Sequence, residues 1–186
     1  MKQVEDEEIL EKFSSERTRN EAFNLLISKY QEKIYWHVRR LVIDHDDADD
    51  LVQEVFIKVW KNLEKFRSDS KLYTWIYRIA TNESITFLNK KKQHNHTPLD
   101  EMPTELTDSL VESSYFNGDT VQKKLQQAIL TLPEKQRLIF NMKYYDELKY
   151  EEISEILGTT VGALKASFHI AVKKIEVFML NDDISF

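Results

Sequence analysis

The densest run of groups able to hold a cation is Asp44-His45-Asp46-Asp47-Ala48-Asp49-Asp50. A calcium loop needs a glycine at its sixth position and a glutamate at its twelfth, and the run supplies neither. The simpler reading is an acidic entry into a helix capped by Asp46 or Asp47, because carboxylates near a helix N-terminus are favoured by the macrodipole. His94 and His96 have no neighbouring ligands in sequence. The chain has no cysteine, which excludes disulfides, thiolate zinc sites, iron–sulfur clusters and cysteine nucleophiles together. No Ser/His/Asp or paired-carboxylate arrangement has a recognisable context. No catalytic residue, metal or cofactor is therefore assigned, and the chain is not expected to be an enzyme.

Two other segments carry chemistry of a binding kind. From Phe66 to Lys92, Phe66, Tyr73, Trp75 and Tyr77 interleave with Arg67, Lys71 and Arg78, and Lys90, Lys91 and Lys92 follow. Rings beside cations can stack unpaired bases and hold their backbone. Trp75 is expected in the core, leaving Tyr73, Tyr77 and the basic groups for solvent or DNA. From Tyr150 to Ile175, a short helix with Ile153, Ile156 and Leu157 on one face stops at Gly158, a natural left-handed cap. Thr159 and Thr160 are candidate caps for a second helix, which buries Val161, Leu164, Phe168, Val172 and Ile175. This is the layout of a helix-turn-helix, whose second helix enters the major groove. Its outer face would present Lys165, Ala166, Ser167, His169, Lys173 and Lys174, with lysines suited to phosphates and Ser or His to base edges.

The elements positioning these groups are helical. The 186 residues hold only three glycines and three prolines, none before Pro98. Such a chain, rich in Glu, Lys, Leu and Ile, has few ways to turn strands, and it lacks the glycine clusters of Rossmann and P-loop sites. Phe23, Leu26, Tyr30, Ile34, Val38 and Leu41 form one apolar stripe, and Ala48, Leu51, Val52, Val55, Phe56, Val59 and Leu63 a second. Leu72, Trp75, Ile76, Ile79 and Ala80 begin a third. The expected fold is all-α: an N-terminal helical bundle and a C-terminal helix-turn-helix domain, two small helical domains joined by an acidic linker.

Charge marks the boundaries. Residues 1–66 hold 11 basic and 15 acidic groups, residues 67–92 hold 6 and 2, and residues 93–119 hold none and 6. Residues 120–186 hold 9 of each, and the whole chain has a formal net charge of −6. The segment 93–119, with Pro98, Pro103 and Gly118, reads as a linker able to extend about 90 Å. The division is an N-terminal extension over 1–19, a bundle over 20–92, the linker over 93–119 and a second domain over 120–180. The opening MKQVEDEEIL is acidic and leads into no apolar run, and no stretch approaches the ~20 apolar residues of a membrane span. A cytoplasmic protein without direct membrane insertion is expected.

The combination resembles the alternative sigma factors of the extracytoplasmic-function (ECF) group, two-domain subunits that direct bacterial RNA polymerase to promoters. The carriers are DADDLVQEVFIKVW at Asp47–Trp60, YTWIYRIATN at Tyr73–Asn82, LPEKQR at Leu132–Arg137 and YEEISEILGTTVGALK at Tyr150–Lys165. The resemblance implies that Asp50, Leu51, Gln53, Glu54 and Phe56 bind core RNA polymerase, with Phe56 as an anchor. It implies that Arg67, Lys71, Tyr73, Tyr77, Arg78 and Asn82 hold the melted −10 strand of promoter DNA, with Lys90, Lys91 and Lys92 on phosphates. Arg137, Thr160, Lys165, Ala166, Ser167, His169 and Lys173 would serve the −35 duplex, Arg137 as a phosphate contact. An anti-sigma factor is a further implied partner. The chain departs from the family pattern at Thr86, Phe87 and Asn89, where Asp and Arg residues are common, and near Ser167, Ile170 and Val172, where arginines are usual. Either its DNA affinity then rests more on polymerase or its promoter bases are unusual, and an overall acidic chain is a poor solitary DNA binder. The competing readings are a dimeric helix-turn-helix regulator acting without polymerase and a protein-binding helical adaptor.

Overall fold

The computed structural model describes residues 5–95 and 120–181, and all regular structure among them is helical. Most of the acidic segment 93–119 lies outside the described residues. The chain divides into two compact units, Met1–His94 and Asn95–Phe186.

The first unit contains α1 (Asp6–Phe13), α2 (Arg19–Val42), α3 (His45–Asn62), a 3-10 turn at Leu63–Lys65 and α4 (Leu72–Asn95). The α2 stripe is buried from Leu26 to Leu41, and the α3 stripe is buried throughout. Helix α1 belongs to this bundle rather than to an extension: Ile9 and Phe13 are buried, and Phe13 meets Trp60 edge-on at 5.3 Å. Asp6 Oδ1 accepts from Tyr30 Oη at 2.6 Å and from Lys29 Nζ at 2.7 Å, which fixes the start of α1 on α2. Burial and this carboxylate push the Tyr30 phenol far above its ordinary range.

Between α2 and α3 the chain turns at Ile43, whose φ of 70° is rare for a β-branched residue. The Asp44 amide donates to the Val42 carbonyl at 2.8 Å, closing a γ-turn. Asp44 also caps α3, its carboxylate accepting from the Asp47 amide at 3.0 Å. The cap is thus Asp44, two or three residues before the expected Asp46 or Asp47, because only the residue preceding the first helical turn can reach an unpaired amide.

Helix α4 buries an unusual mixture: Ile76 and Ala80, together with Thr74, Tyr77, Thr81 and Ser84. The hydroxyls of Thr81 and Ser84 donate to carbonyls four residues back, at 2.8 and 2.9 Å. Thr81 Oγ1 lies 2.9 Å from His37 Nε2, and the His37 ring meets Tyr77 at 4.9 Å. A polar stripe can therefore sit in the core without unmet hydrogen bonds at those two hydroxyls.

The second unit contains α5 (Thr120–Leu130), α6 (Glu134–Tyr144), α7 (Tyr150–Leu157) and α8 (Val161–Asn181). Ala128, Ile129, Leu132, Phe140, Ala171 and Ile175 form one core cluster. Helix α7 stops at Gly158 with φ 61°, and the Gly158 amide donates to the Ser154 carbonyl at 2.9 Å. Thr160 Oγ1 then accepts from the Ala163 amide at 3.3 Å and starts α8. The buried stripe of α8 is rotated slightly from expectation: Leu164, Ala171 and Ile175 are buried, while Val161, Phe168 and Val172 are half-buried. Ala171 takes the inward position, fully buried in the core cluster with Ala128, Ile129 and Ile175.

Candidate nucleic-acid interface

Along α3, Asp50, Gln53 and Glu54 are exposed, whereas Leu51 and Phe56 are 4% and 7% exposed. The last two belong to the bundle core, where Phe56 meets Phe23 edge-on at 6.5 Å, so Phe56 is no surface anchor. The three polar groups lie on the opposite side of α3 from that core. Next to them is a groove of about 410 Å³ lined by Gln31, Glu32, Tyr35, Asp49, Val52 and Gln53. Tyr35 Oη lies 2.7 Å from His45 Nδ1, and burial raises the Tyr35 phenol. The α2 contribution to this groove was not legible in sequence, since it depends on how two helices meet.

Beside α4, Lys58, Asn62 and Lys65 from α3 and the following turn face Trp75, Ile79, Asn82 and Glu83 around a pocket of about 300 Å³. Phe66 packs on Trp75 at 5.3 Å, and Lys58 pairs with Glu83. Trp75 is only half-buried, while Tyr77 is 4% exposed. The expected roles of these two rings are exchanged: the inward face of α4 runs through Tyr77, Thr81 and Ser84, three or four residues apart, so Tyr77 faces His37 and is withheld from solvent. Arg67, Lys71, Arg78, Asn82, Lys90 and Lys91 are exposed, and Tyr73 and Lys92 are half-buried. Lys71 Nζ lies over the Tyr73 ring at 5.4 Å. Lys91 bonds to Asp47 Oδ2 at 2.6 Å, clamping α4 to the start of α3. The pocket's cations, Lys58 and Lys65, carried no sequence signal beyond their charge.

In the second unit Thr160, Lys165, Ala166, His169, Lys173 and Lys174 are exposed, and Ser167 is half-buried. Lys165 and Lys143 both lie over the Tyr150 ring, at 5.6 and 5.3 Å, and concentrate positive charge at the start of α7. Arg137 is the exception among the expected contacts. It is 6% exposed, and burial lowers the pKa of its guanidinium, opposed by nearby Glu134. Its position on α6 points it into the unit, so it is withheld from phosphates at the surface. Among the described residues no helix is long and apolar enough to cross a membrane, and no three His, Cys, Asp or Glu side chains gather as a metal site.

Family comparisons converge with this geometry. The sigma-70 region 2 model matches residues 26–94, and the sigma-70 region 4 model matches residues 122–175. The chain is 35% identical over 157 residues to the ECF RNA polymerase sigma factor SigW of Bacillus subtilis, covering 80% of this chain and 84% of that protein. It is 32% identical over 182 residues to the ECF RNA polymerase sigma-E factor of Escherichia coli, covering 94% of each. Two solved structures share the fold at 19% identity. The sigma factor RpoE of Bartonella quintana, in complex with the anti-sigma factor NepR, has a TM-score of 0.70 over 88% of this chain and 98% of that one. CnrH in complex with the cytosolic domain of CnrY has a TM-score of 0.67 over 95% and 96%. With both regions matched in order and relatives above 30% identity along most of its length, the chain belongs to the ECF group of the sigma-70 family and directs promoter-specific initiation of transcription.

Proposed function

We propose that the two units divide the work of promoter recognition. Asp50, Gln53 and Glu54, with the Gln31–Tyr35 edge of α2, form the docking face for core RNA polymerase. Their polarity and exposure suit a charged partner surface, and the groove beside them admits a projecting side chain. The pocket beside α4 receives an unpaired base of the −10 strand: Trp75 offers a ring face, Asn82 an amide, and Lys58 and Lys65 the cations. Arg67, Lys71, Tyr73 and Arg78, near the start of α4, and Lys90 and Lys91, farther along it toward the start of α3, serve the strand's backbone. Helix α8 reads the −35 duplex with Lys165, Ala166, Ser167, His169 and Lys173, and Thr160 serves both as cap and as a phosphate contact. The units correspond to residues 20–92 extended by α1, and 120–180, with 93–119 as the acidic connection.

The observation that carries this reading is the α4 pocket, because an aromatic ring, an amide and two lysines, Lys58 of them paired with Glu83, converge there on an outward-facing concavity. The chain itself supplies binding and no catalytic step, and it acts in the cytoplasm, where polymerase and promoter meet. An anti-sigma factor that covers the DNA-binding faces is a further partner, supported by the RpoE–NepR complex among the structural neighbours. The test is retention on core polymerase. The wild-type chain is expected to be retained, and an Asp50→Ala/Gln53→Ala/Glu54→Ala variant lost, with unchanged circular dichroism. Retention of that variant removes the docking face from α3.

A further inference from the structure

Helix α8 turns Leu164, Ala171 and Ile175 inward. At about 100° per residue, Ala166 points almost directly away from that face, with His169 and Ile170 on either side of it. All three are exposed, and Ile170 is 46% exposed despite being apolar and large. Ala163, one turn earlier, is also exposed and extends the apolar side of the face. Around this short apolar strip the exposed cations are Lys165, Lys173 and Lys174. A basic helix that follows the tight turn at Gly158 thus carries an apolar centre where base edges would lie.

In the major groove only one base edge offers an apolar group, the C5-methyl of thymine. The polar edges of guanine or cytosine opposite Ile170 would lose water and gain no hydrogen bond, which penalises them. The short side chain of Ala166 lets the helix approach the groove floor, bringing Ile170 within reach. We propose that Ile170, supported by Ala166, is a specificity-determining residue that reads a thymine methyl group in the −35 element. His169 on the other side of Ala166 is placed to hydrogen-bond a neighbouring base edge. This inference rests on the assignment of α8 to the −35 duplex.

The test uses core polymerase reconstituted with the full chain. Open complexes are selected from a randomised promoter library, and each thymine of the −35 element obtained is replaced singly by deoxyuridine, which lacks the methyl. Wild type is expected to lose about fourfold in open-complex formation at one thymine, the worth of one buried methyl-sized group. Ile170→Ala is expected to treat thymine and deoxyuridine alike there, and Ile170→Arg to shift preference toward guanine. A scrambled −35 element separates the two levels of the argument. If scrambling has no effect, the −35 assignment of α8 fails and takes the proposal with it. If scrambling abolishes complexes but no single deoxyuridine matters, the assignment stands and the proposal is overturned. Loss of polymerase retention by Ile170→Ala, with the thymine-to-deoxyuridine ratio unchanged, would make Ile170 a protein contact and also overturn it.

Discussion

Replacing Phe13 with alanine is expected to destabilise the first unit severely, although the residue lies in a segment that looks dispensable in sequence. Phe13 is 3% exposed and sits among Trp60 at 5.3 Å, Phe23 at 6.5 Å and the Arg19 guanidinium at 5.3 Å. Truncating a buried phenylalanine costs about 3–5 kcal/mol, and the edge-on contact with Trp60 places this site toward the upper part of that range. A small domain has about 5–15 kcal/mol in total, so about a quarter or more of the unit's stability is at stake. With a urea slope of about 2 kcal/mol per M, the midpoint should fall by about 2 M. The assay is selective because all three tryptophans, Trp36, Trp60 and Trp75, lie in the first unit. Their fluorescence follows that unit alone. Phe13→Leu should keep more than half of the stability, and Lys12→Ala, whose pair with Glu8 is solvent-exposed, should leave the midpoint where it was. A Phe13→Ala midpoint within about 0.3 M of wild type would refute the packing of α1 as part of the bundle.

Further expectations concern pH, the turn and the pocket. Because folding raises the Tyr30 pKa above its ordinary value of 10.0, the stabilising effect is complete below about pH 10 and declines above it, as the unfolded tyrosine ionises and the folded one does not. Tyr30→Phe should flatten this alkaline decline in tryptophan-monitored melts; an unaltered decline would show that Tyr30 is not its source. Gly158→Ala should cost about 1–2 kcal/mol, because the Cβ meets nothing within 4 Å and only the left-handed φ of 61° is penalised. Amide exchange in α7 and α8 reports this, and protection equal to wild type would contradict it. Asn82→Ala should reduce permanganate reactivity of −10 thymines in open complexes about tenfold, the value of one lost hydrogen bond. Unchanged reactivity would remove Asn82 from the base pocket.

Legibility in the sequence followed the physical basis of each signal. The stripes of α2 and α3 were readable because apolar side chains three or four apart have few other uses, and Gly158 because few residues adopt φ 61°. Tyr77 was misplaced because the buried face of α4 is partly polar; Thr81 and Ser84 satisfy their hydroxyls within the helix and escape any count of apolar positions. Arg137 was misplaced because a charge normally marks the surface, yet it lies in the α6 core. Helix α1 was missed since Glu5, Asp6, Glu7 and Glu8 mask the two residues, Ile9 and Phe13, that dock it. The two grooves are properties of helix pairs, so Gln31, Tyr35, Lys58 and Lys65 gave no linear sign of belonging to them.

The most direct test of the central claim is transcription by purified core RNA polymerase on a randomised promoter library, with and without this chain. Discrete start sites are expected only when the chain is present, preceded by common −35 and −10 sequences, with negligible footprinting by the chain alone. Unchanged transcription on adding the chain, or a tight sequence-specific footprint formed without polymerase, would contradict it.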